Sequence, residues 1–386
     1  MHMGATVCRT TCKAGCRYYS HQGICTGCAG MINNNTRGHY LMISISMRLL
    51  AAFSTGFFLL MARAADEHDH HDMTHHDHFG TEPIGVMGAH AHSRGDWMVS
   101  LRSMRMDMDG NRDGTSRMST ADVFAAGYMI APKSMTMDMH MLSAMYGVSE
   151  DLTIMLMLPW LDIEMDHERA NGAKFTTHSS GIGDVNFSGL YKLGQWGAHQ
   201  LNLNAGLRIP TGSIDKEDDT PMGANQHLPY PMQLGSGTWD LLPGLTYLGQ
   251  AEELSWGAQG VAVVRLGEND NDYTLGDRFN LTGWVSRAWT PDWQSSLRLD
   301  AQWWGNIDGS DNKIPAMMIG IVPTADPDLR AGRRVDLLVG AAFAPQAGLL
   351  RGHRLALEVG RPVYQNLDGP QLETDWTATL GWQLLL

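Results

Sequence analysis

The sequence predicts an all-β protein, a transmembrane antiparallel β-barrel of about 12 strands with short periplasmic turns and long extracellular loops. Three observations predict it. The last eleven residues alternate almost without error: Trp376, Ala378, Leu380, Trp382, Leu384 and Leu386 fall on one strand face, and Thr377, Thr379, Gly381 and Gln383 on the other. The connections between such period-two stretches alternate between short and long, the rhythm of an outer-membrane barrel. No apolar run approaches the roughly 20 residues that a spanning helix needs, whereas a barrel spreads its apolar residues over alternate positions.

Period two places strands near 96–109, 135–146, 151–161, 183–193, 200–209, 239–248, 254–266, 278–289, 293–304, 333–344, 353–364 and 375–386. The turns at 147–150, 194–199, 249–253, 290–292 and 345–352 are short. Long loops are expected at 110–134, 162–182, 210–238, 267–277 and 305–332, with a modest one at 365–374. Outward rows read directly as Leu201, Leu203, Ala205, Leu207 and Ile209; Leu297, Leu299, Ala301 and Trp303; and Val335, Leu337, Val339, Ala341 and Phe343. Opposite them Asn202, Asn204, Arg208, Arg298, Asp300, Gln302, Arg334 and Asp336 face a polar interior. Trp97, Tyr146, Trp160, Trp196, Trp256, Trp289, Trp293 and Trp376 sit at strand ends, as interfacial girdles do.

Four segments divide the chain. Residues 47–64 read as a secretory signal peptide: Met47-Arg48, an apolar run from Leu49 to Met61, and the small-residue site Ala62-Arg63-Ala64. Residues 1–46 carry all five cysteines (Cys8, Cys12, Cys16, Cys25 and Cys28) and read as an upstream, misassigned start; the competing reading is a small metal-binding head on Cys25-x-x-Cys28. Residues 65–94 read as a His-rich periplasmic segment, and 95–386 as the barrel. All 41 acidic residues follow Ala64, and the leader removes Arg9, Lys13, Arg17, Arg37, Arg48 and Arg63, so the remainder is more acidic than the full chain's net charge of −13. That acidity excludes nucleic acid as a partner. The expected partners are outer-membrane lipid and lipopolysaccharide, the barrel-assembly machinery and a periplasmic metal chaperone.

Gly181-Ile182-Gly183-Asp184-Val185, Arg208-Ile209-Pro210-Thr211-Gly212 and Gly235-Ser236-Gly237-Thr238-Trp239-Asp240 resemble the G-x-G-D, P-T-G and G-x-G-x-x-D signatures of the outer-membrane family labelled "meta-pathway of phenol degradation". The resemblance runs from about Ile84 to Leu386 and implies a barrel and transport. It implies no enzyme. The residues agree, since no G-x-S-x-G elbow is present and His140 and Ser143 fall on opposite faces by parity.

The chain departs from that pattern in methionine and histidine. Fourteen of its 26 methionines lie between Met98 and Met165. Met104, Met106 and Met108 end the first strand, Met135, Met137, Met139 and Met141 open the second, and Met155 and Met157 lie in the third. Inward-facing thioethers would suit a soft ion such as Cu(I). The outward row Leu152, Ile154, Leu156, Leu158 and Trp160 turns Met155 and Met157 inward; Leu142, Ala144 and Tyr146 do the same for the second strand, which puts Asp138 and His140 outside. The alternative is that methionine merely fills apolar positions. Upstream, His68, His70, His71, His75, His76 and His78 alternate with carboxylates in a tract suited to Cu(II). The residues therefore point to an outer-membrane channel or transporter with copper or another soft metal as cargo and no resident cofactor. A passive channel for small hydrophobic or aromatic compounds and a non-conducting metal-sequestering protein are the other two readings. The acidic runs Asp215 to Asp219 and Glu268 to Asp272 read as solvated loops.

Overall fold

The computed structural model describes residues 80–386. The segments 1–46 and 47–64 and the histidine tract through His78 lie outside the described residues. In chain order the elements are β1 (Trp97–Gly114), β2 (Ser116–Met118), helix α1 (Thr120–Ala125), β3 (Ile130–Gly147), β4 (Leu152–Arg169), β5 (Lys174–Ile182), β6 (Val185–Trp196) and β7 (His199–Ile209). There follow β8 (Glu217–Thr220), β9 (Gly223–His227), β10 (Trp239–Ala251), β11 (Leu254–Leu266), β12 (Tyr273–Thr274), β13 (Arg278–Ala288) and β14 (Trp293–Trp304). The last are β15 (Asp308–Gly309), β16 (Gly332–Phe343) and β17 (His353–Leu385).

The antiparallel ring runs β17-β16-β14-β13-β11-β10-β7-β6-β4-β3-β1 and closes through β1 on β17. β17 crosses the wall twice. Straight, its 33 residues would reach roughly 110 Å at 3.3 Å per residue. Instead the Leu385 amide donates to the Gly352 carbonyl at 2.9 Å, and β17 pairs with β16 along its first half and β1 along its second. Twelve crossings result, the number expected from period two.

Alternation decides which atoms meet lipid. Leu156, Phe187, Leu245, Leu281, Leu299, Val339 and Leu380 are exposed on the outer face, while Asn202, Thr246, Thr282 and Gln383 on the inner face are buried. Trp97, Trp196, Trp239, Trp289 and Trp293 are exposed near strand ends, where their amphipathic rings suit an interface, whereas Trp160, expected at a strand end, is exposed in the middle of β4.

The segment 162–182, expected as a loop, is wall. β4 continues to Arg169 and returns as β5 with unbroken pairing from Trp160↔Ile182 to Glu168↔Lys174. Its outward positions are acidic where a lipid face would be apolar, yet the period holds. Leu161, Ile163, Met165 and His167 are buried inside, and Asp162, Glu164 and Asp166 are exposed outside. The other long loops also depart from solvated coil. Ile130, Tyr230, Tyr273, Ile307, Ile314, Val322 and Ala325 pack into one apolar cluster that ties 210–238, 267–277 and 305–332 together at the extracellular end. There His227 Nε2 meets Asp311 Oδ2 at 2.9 Å, and hydrogen bonds from Lys313 and Asn271 hold the Asp215 carboxyl below its ordinary pKa.

A charge on the lipid face should cost ~2–4 kcal/mol at the bilayer midplane. Leu380→Arg is therefore expected to lower the fraction of heat-modifiable, folded barrel in outer-membrane extracts. Leu380→Phe should leave that fraction unchanged.

A candidate substrate pathway in the lumen

The three glycine-rich signatures converge on one carboxylate. Above Asn186 the pairing of β4 passes from β6 to β5, and Gly183-Asp184 sits in the break. Asp184 Oδ1 accepts from the Gly212 amide at 2.9 Å, and Oδ2 accepts from the Ser236 amide at 2.8 Å and its hydroxyl at 2.9 Å. Thr211 completes the knot: its hydroxyl donates to the Gly183 carbonyl at 2.8 Å and accepts from the Val185 amide at 3.0 Å. Backbones approach too closely here for side chains. A Cβ on Gly212 would lie 2.7 Å from the Leu234 carbonyl oxygen, and one on Gly235 would lie 2.6 Å from Asp184 Oδ1. Below the knot, Asp240 accepts from Thr238 Oγ1 at 2.7 Å and pairs with Arg265 and, at 3.7 Å, Arg208.

This knot fixes both ends of the loop 210–238. Leu228, Met232 and Leu234 are thereby buried against Met108, Met135, Leu161, Ile163 and Met165 on the inner wall, with Met106, Met137 and Met139 at the margin. The inward turn of the methionines agrees with the parity reading. Met104↔Met139, Met106↔Met137 and Met108↔Met135 are cross-strand partners, and Met165 stands opposite Met135. Asp138 and His140 are on the outer face, where they meet Arg105 at 3.3 Å and Ser103 at 2.7 Å.

The expected metal set is brought together only in part. Six of its methionines (104, 106, 108, 135, 137 and 139) form the cross-strand ladder. Met141 lies one step lower, opposite Arg102. Met155 is lower still, packed with Met98, Met145 and Leu190, and Met157 faces Ser143. His68, His70, His71, His75, His76 and His78 lie outside the described residues. Among the described residues no group of three His, Cys, Asp or Glu side chains is arranged to hold a metal ion. Met98, Met145 and Met165 share the inward parity and could have been added from spacing alone. Leu228, Met232 and Leu234 carry no periodic signal, because they belong to a loop.

Gly80 to Ser93, assigned from sequence to the His-rich periplasmic segment, lie inside the barrel at its short-turn end. Ile84, Val86 and Ala89 are buried there. This stretch is irregular, so its carbonyls need donors from elsewhere, and inward side chains supply them. Asn204 Nδ2 donates to Gly88 O at 2.7 Å, Asn202 Nδ2 to Ala89 O at 2.9 Å, Gln259 Nε2 to Met87 O at 3.0 Å and Arg354 Nη2 to Glu82 O at 2.6 Å. His92 N donates to Thr153 Oγ1 at 2.7 Å, and His90 Nδ1 lies 2.9 Å from Glu82 Oε1. The polar interior read from Asn202 and Asn204 is thus met by an internal plug.

Fold and lumen together define an outer-membrane β-barrel with an inward-folded loop above and an internal segment below. The family model described as "MetA-pathway of phenol degradation" matches residues 126–321, half of the chain. The chain belongs to this family, which places it in the bacterial outer membrane. Among solved structures it is similar to the COG4313 outer membrane channel from Pseudomonas putida F1, at 15% identity and a TM-score of 0.53, covering 78% of this chain and 99% of that one. A Pseudomonas aeruginosa FadL homologue aligns at 10% identity and a TM-score of 0.34, covering 75% and 89% of the two chains. The TodX monoaromatic hydrocarbon channel aligns at 9% identity and 0.36, covering 76% and 91%. The first likeness bears on the fold alone, and the other two are too distant to bear on this chain. No curated protein matches the sequence.

Removing Asp184 would leave two backbone amides without their acceptor. Hydrogen bonds to a charged group are worth about 1.5–3 kcal/mol each, so Asp184→Ala should release the loop while the ring of strands persists. Limited proteolysis of intact cells should then cut within 210–238, with heat-modifiability retained. An uncut loop would show that the knot is not what holds it.

Proposed function

We propose that this protein is a passive outer-membrane channel for small hydrophobic or aromatic compounds. The observation that carries the reading is the apolar row on one side of the lumen, the half-buried Met104, Met106, Met137 and Met139 of β1 and β3, beside the packed cluster of Leu161, Ile163, Leu228 and Leu234. A pore for sugars or ions gains nothing from such a stripe. An aromatic solute does, because thioether–ring contacts are favourable by about 0.3–1.5 kcal/mol each. Methionine also re-packs readily around ligands of different shape. Membership of a family described by phenol degradation agrees with this chemistry.

The test is uptake by intact cells of a radiolabelled monoaromatic compound at limiting external concentration. Expression of this protein should raise that uptake several-fold and leave glucose uptake unchanged. An equal rise for both solutes would mean an unselective pore, and no rise for either would mean that the protein is not a channel.

Copper passage is the second reading, and the shared inward direction of the thioethers favours it. Against it, Met106 Sδ already accepts from Arg334 Nη1 and Thr374 Oγ1, each at 3.9 Å, and the upper ladder is packed in hydrocarbon. Replacing Met104, Met106, Met137, Met139, Met141, Met155 and Met157 by leucine keeps the apolar surface and removes the sulfur. On the proposed function, copper tolerance and accumulation stay at the parent's level and aromatic uptake falls by no more than about threefold, a loss of well under 1 kcal/mol per contact. Altered copper handling with unaltered zinc handling would favour the metal reading instead.

A further inference from the structure

From the edge of the methionine stripe an arc of arginines runs around the lumen, and most are neutralised. Arg298 pairs with Asp300 at 3.0 Å and with Glu358 at 2.5 Å, Arg334 pairs with Asp336 at 3.0 Å, and Arg208 and Arg265 share Asp240. Arg278, at the extracellular start of β13, differs. Among the described residues it forms no ion pair, and its guanidinium carbon lies 5.6 Å from the centre of the Trp304 ring. Arg278 is exposed, and Arg265, two positions beyond its cross-strand partner Val263, shares its face of the wall.

Arg278 also lines a cavity of about 480 Å³ at the extracellular ends of β11, β13, β14 and β16, a volume typical of small-molecule sites. Val263 and Trp304 line it from the inner face, and Phe279, Trp303 and Arg333 from the outer. Two carboxylates border it, and each has a donor: Asp277 accepts from the Arg265 amide at 2.9 Å and Asp368 from Asn306 Nδ2 at 3.3 Å. Aromatic planes and a guanidinium that forms no ion pair therefore share one opening with these two carboxylates. A flat ring can stack on the indoles, while a carboxylate takes the planar fork of Arg278 in two parallel hydrogen bonds.

We infer that this cavity binds small aromatic carboxylates, and that anionic aromatic compounds are the preferred solutes at the outer mouth. The inference rests on the channel reading for what happens after binding. Beyond Arg278 the same face continues with Arg265, Arg208 and Arg334, and Arg334 touches Met106, so charge and apolar wall run inward side by side.

The test is calorimetric titration of the purified full-length protein in detergent with benzoate and with benzyl alcohol, its neutral counterpart. Benzoate should bind at least ~10-fold more tightly, the factor expected of one charge-assisted contact. Arg278→Gln should remove that advantage and leave benzyl alcohol unaffected, and Arg278→Lys should retain part of it. Should the glutamine variant fail to fold, Arg278→Lys and Arg333→Gln carry the same test, each expected to weaken benzoate and not benzyl alcohol. Equal binding of the two probes by the parent would overturn the inference, as would benzoate binding indifferent to Arg278. Inorganic phosphate binding as tightly as benzoate would overturn it too, by assigning the site to phosphate groups such as those of lipopolysaccharide. Cellular uptake separates the two readings. Neutral aromatic uptake without a benzoate preference sinks the anion site alone, whereas Arg278-dependent benzoate binding without any uptake sinks the channel alone.

Discussion

The carboxylate of Asp184 is the constraint on which the upper half of this barrel depends. Three chain segments that are far apart in sequence end on its two oxygens or on the Thr211 hydroxyl beside it. Glycine occupies 212 and 235 because the backbones close on one another there with no room for a Cβ. The consequence is mechanical. An excursion over 210–238 that would otherwise stand in solvent is pinned at both ends and folded over the lumen, which buries Leu228, Met232 and Leu234. The signatures are thus positioning devices.

Those side chains complete a lumen with two chemistries. Period two turns every second residue of β1, β3 and β4 inward, and these are methionine, leucine and isoleucine along the stripe; the same period on β7, β11, β13, β14 and β16 turns arginine, asparagine, aspartate and glutamine inward. Charge is balanced across most of the polar side, as ion pairs in a low-dielectric wall must be. Asp300 and Asp336, which face each other across β14 and β16, are tolerable neighbours because Arg298 and Arg334 each take one of them. An amphipathic lumen of this kind is suited to solutes that are themselves mostly apolar with one polar end.

Much of this was legible in the sequence. Strand alternation is a local property, so the twelve crossings, the outward rows and the inward turn of Met137 and Met155 follow from spacing without any tertiary knowledge. The segment 162–182 is strand without a lipid face: Leu161, Ile163 and Met165 keep the period inward, while Asp162, Glu164 and Asp166 take the outward positions. The plug was hidden for a different reason. Gly80 to Ser93 has no periodicity, and its place is set by donors on Asn202, Asn204, Gln259 and Arg354, more than a hundred positions away. Nor does spacing show which loop folds inward, since Asp184 and Ser236 are neighbours only in space. For the same reason Arg278's lack of an ion pair emerges only when Asp240, Asp300, Asp336 and Glu358 have been assigned to other arginines.

The central claim is that aromatic solute moves along the methionine side of the lumen, and the absence of cysteine after Cys28 makes that directly measurable. A thiol introduced by Met137→Cys, in protein whose upstream cysteines are replaced by serine, would stand on the ladder opposite Met106. Its rate of modification by a small methanethiosulfonate reagent should fall several-fold when a monoaromatic compound is present, and should be unaffected by an equal concentration of glucose. A rate unchanged by the aromatic compound would contradict the account.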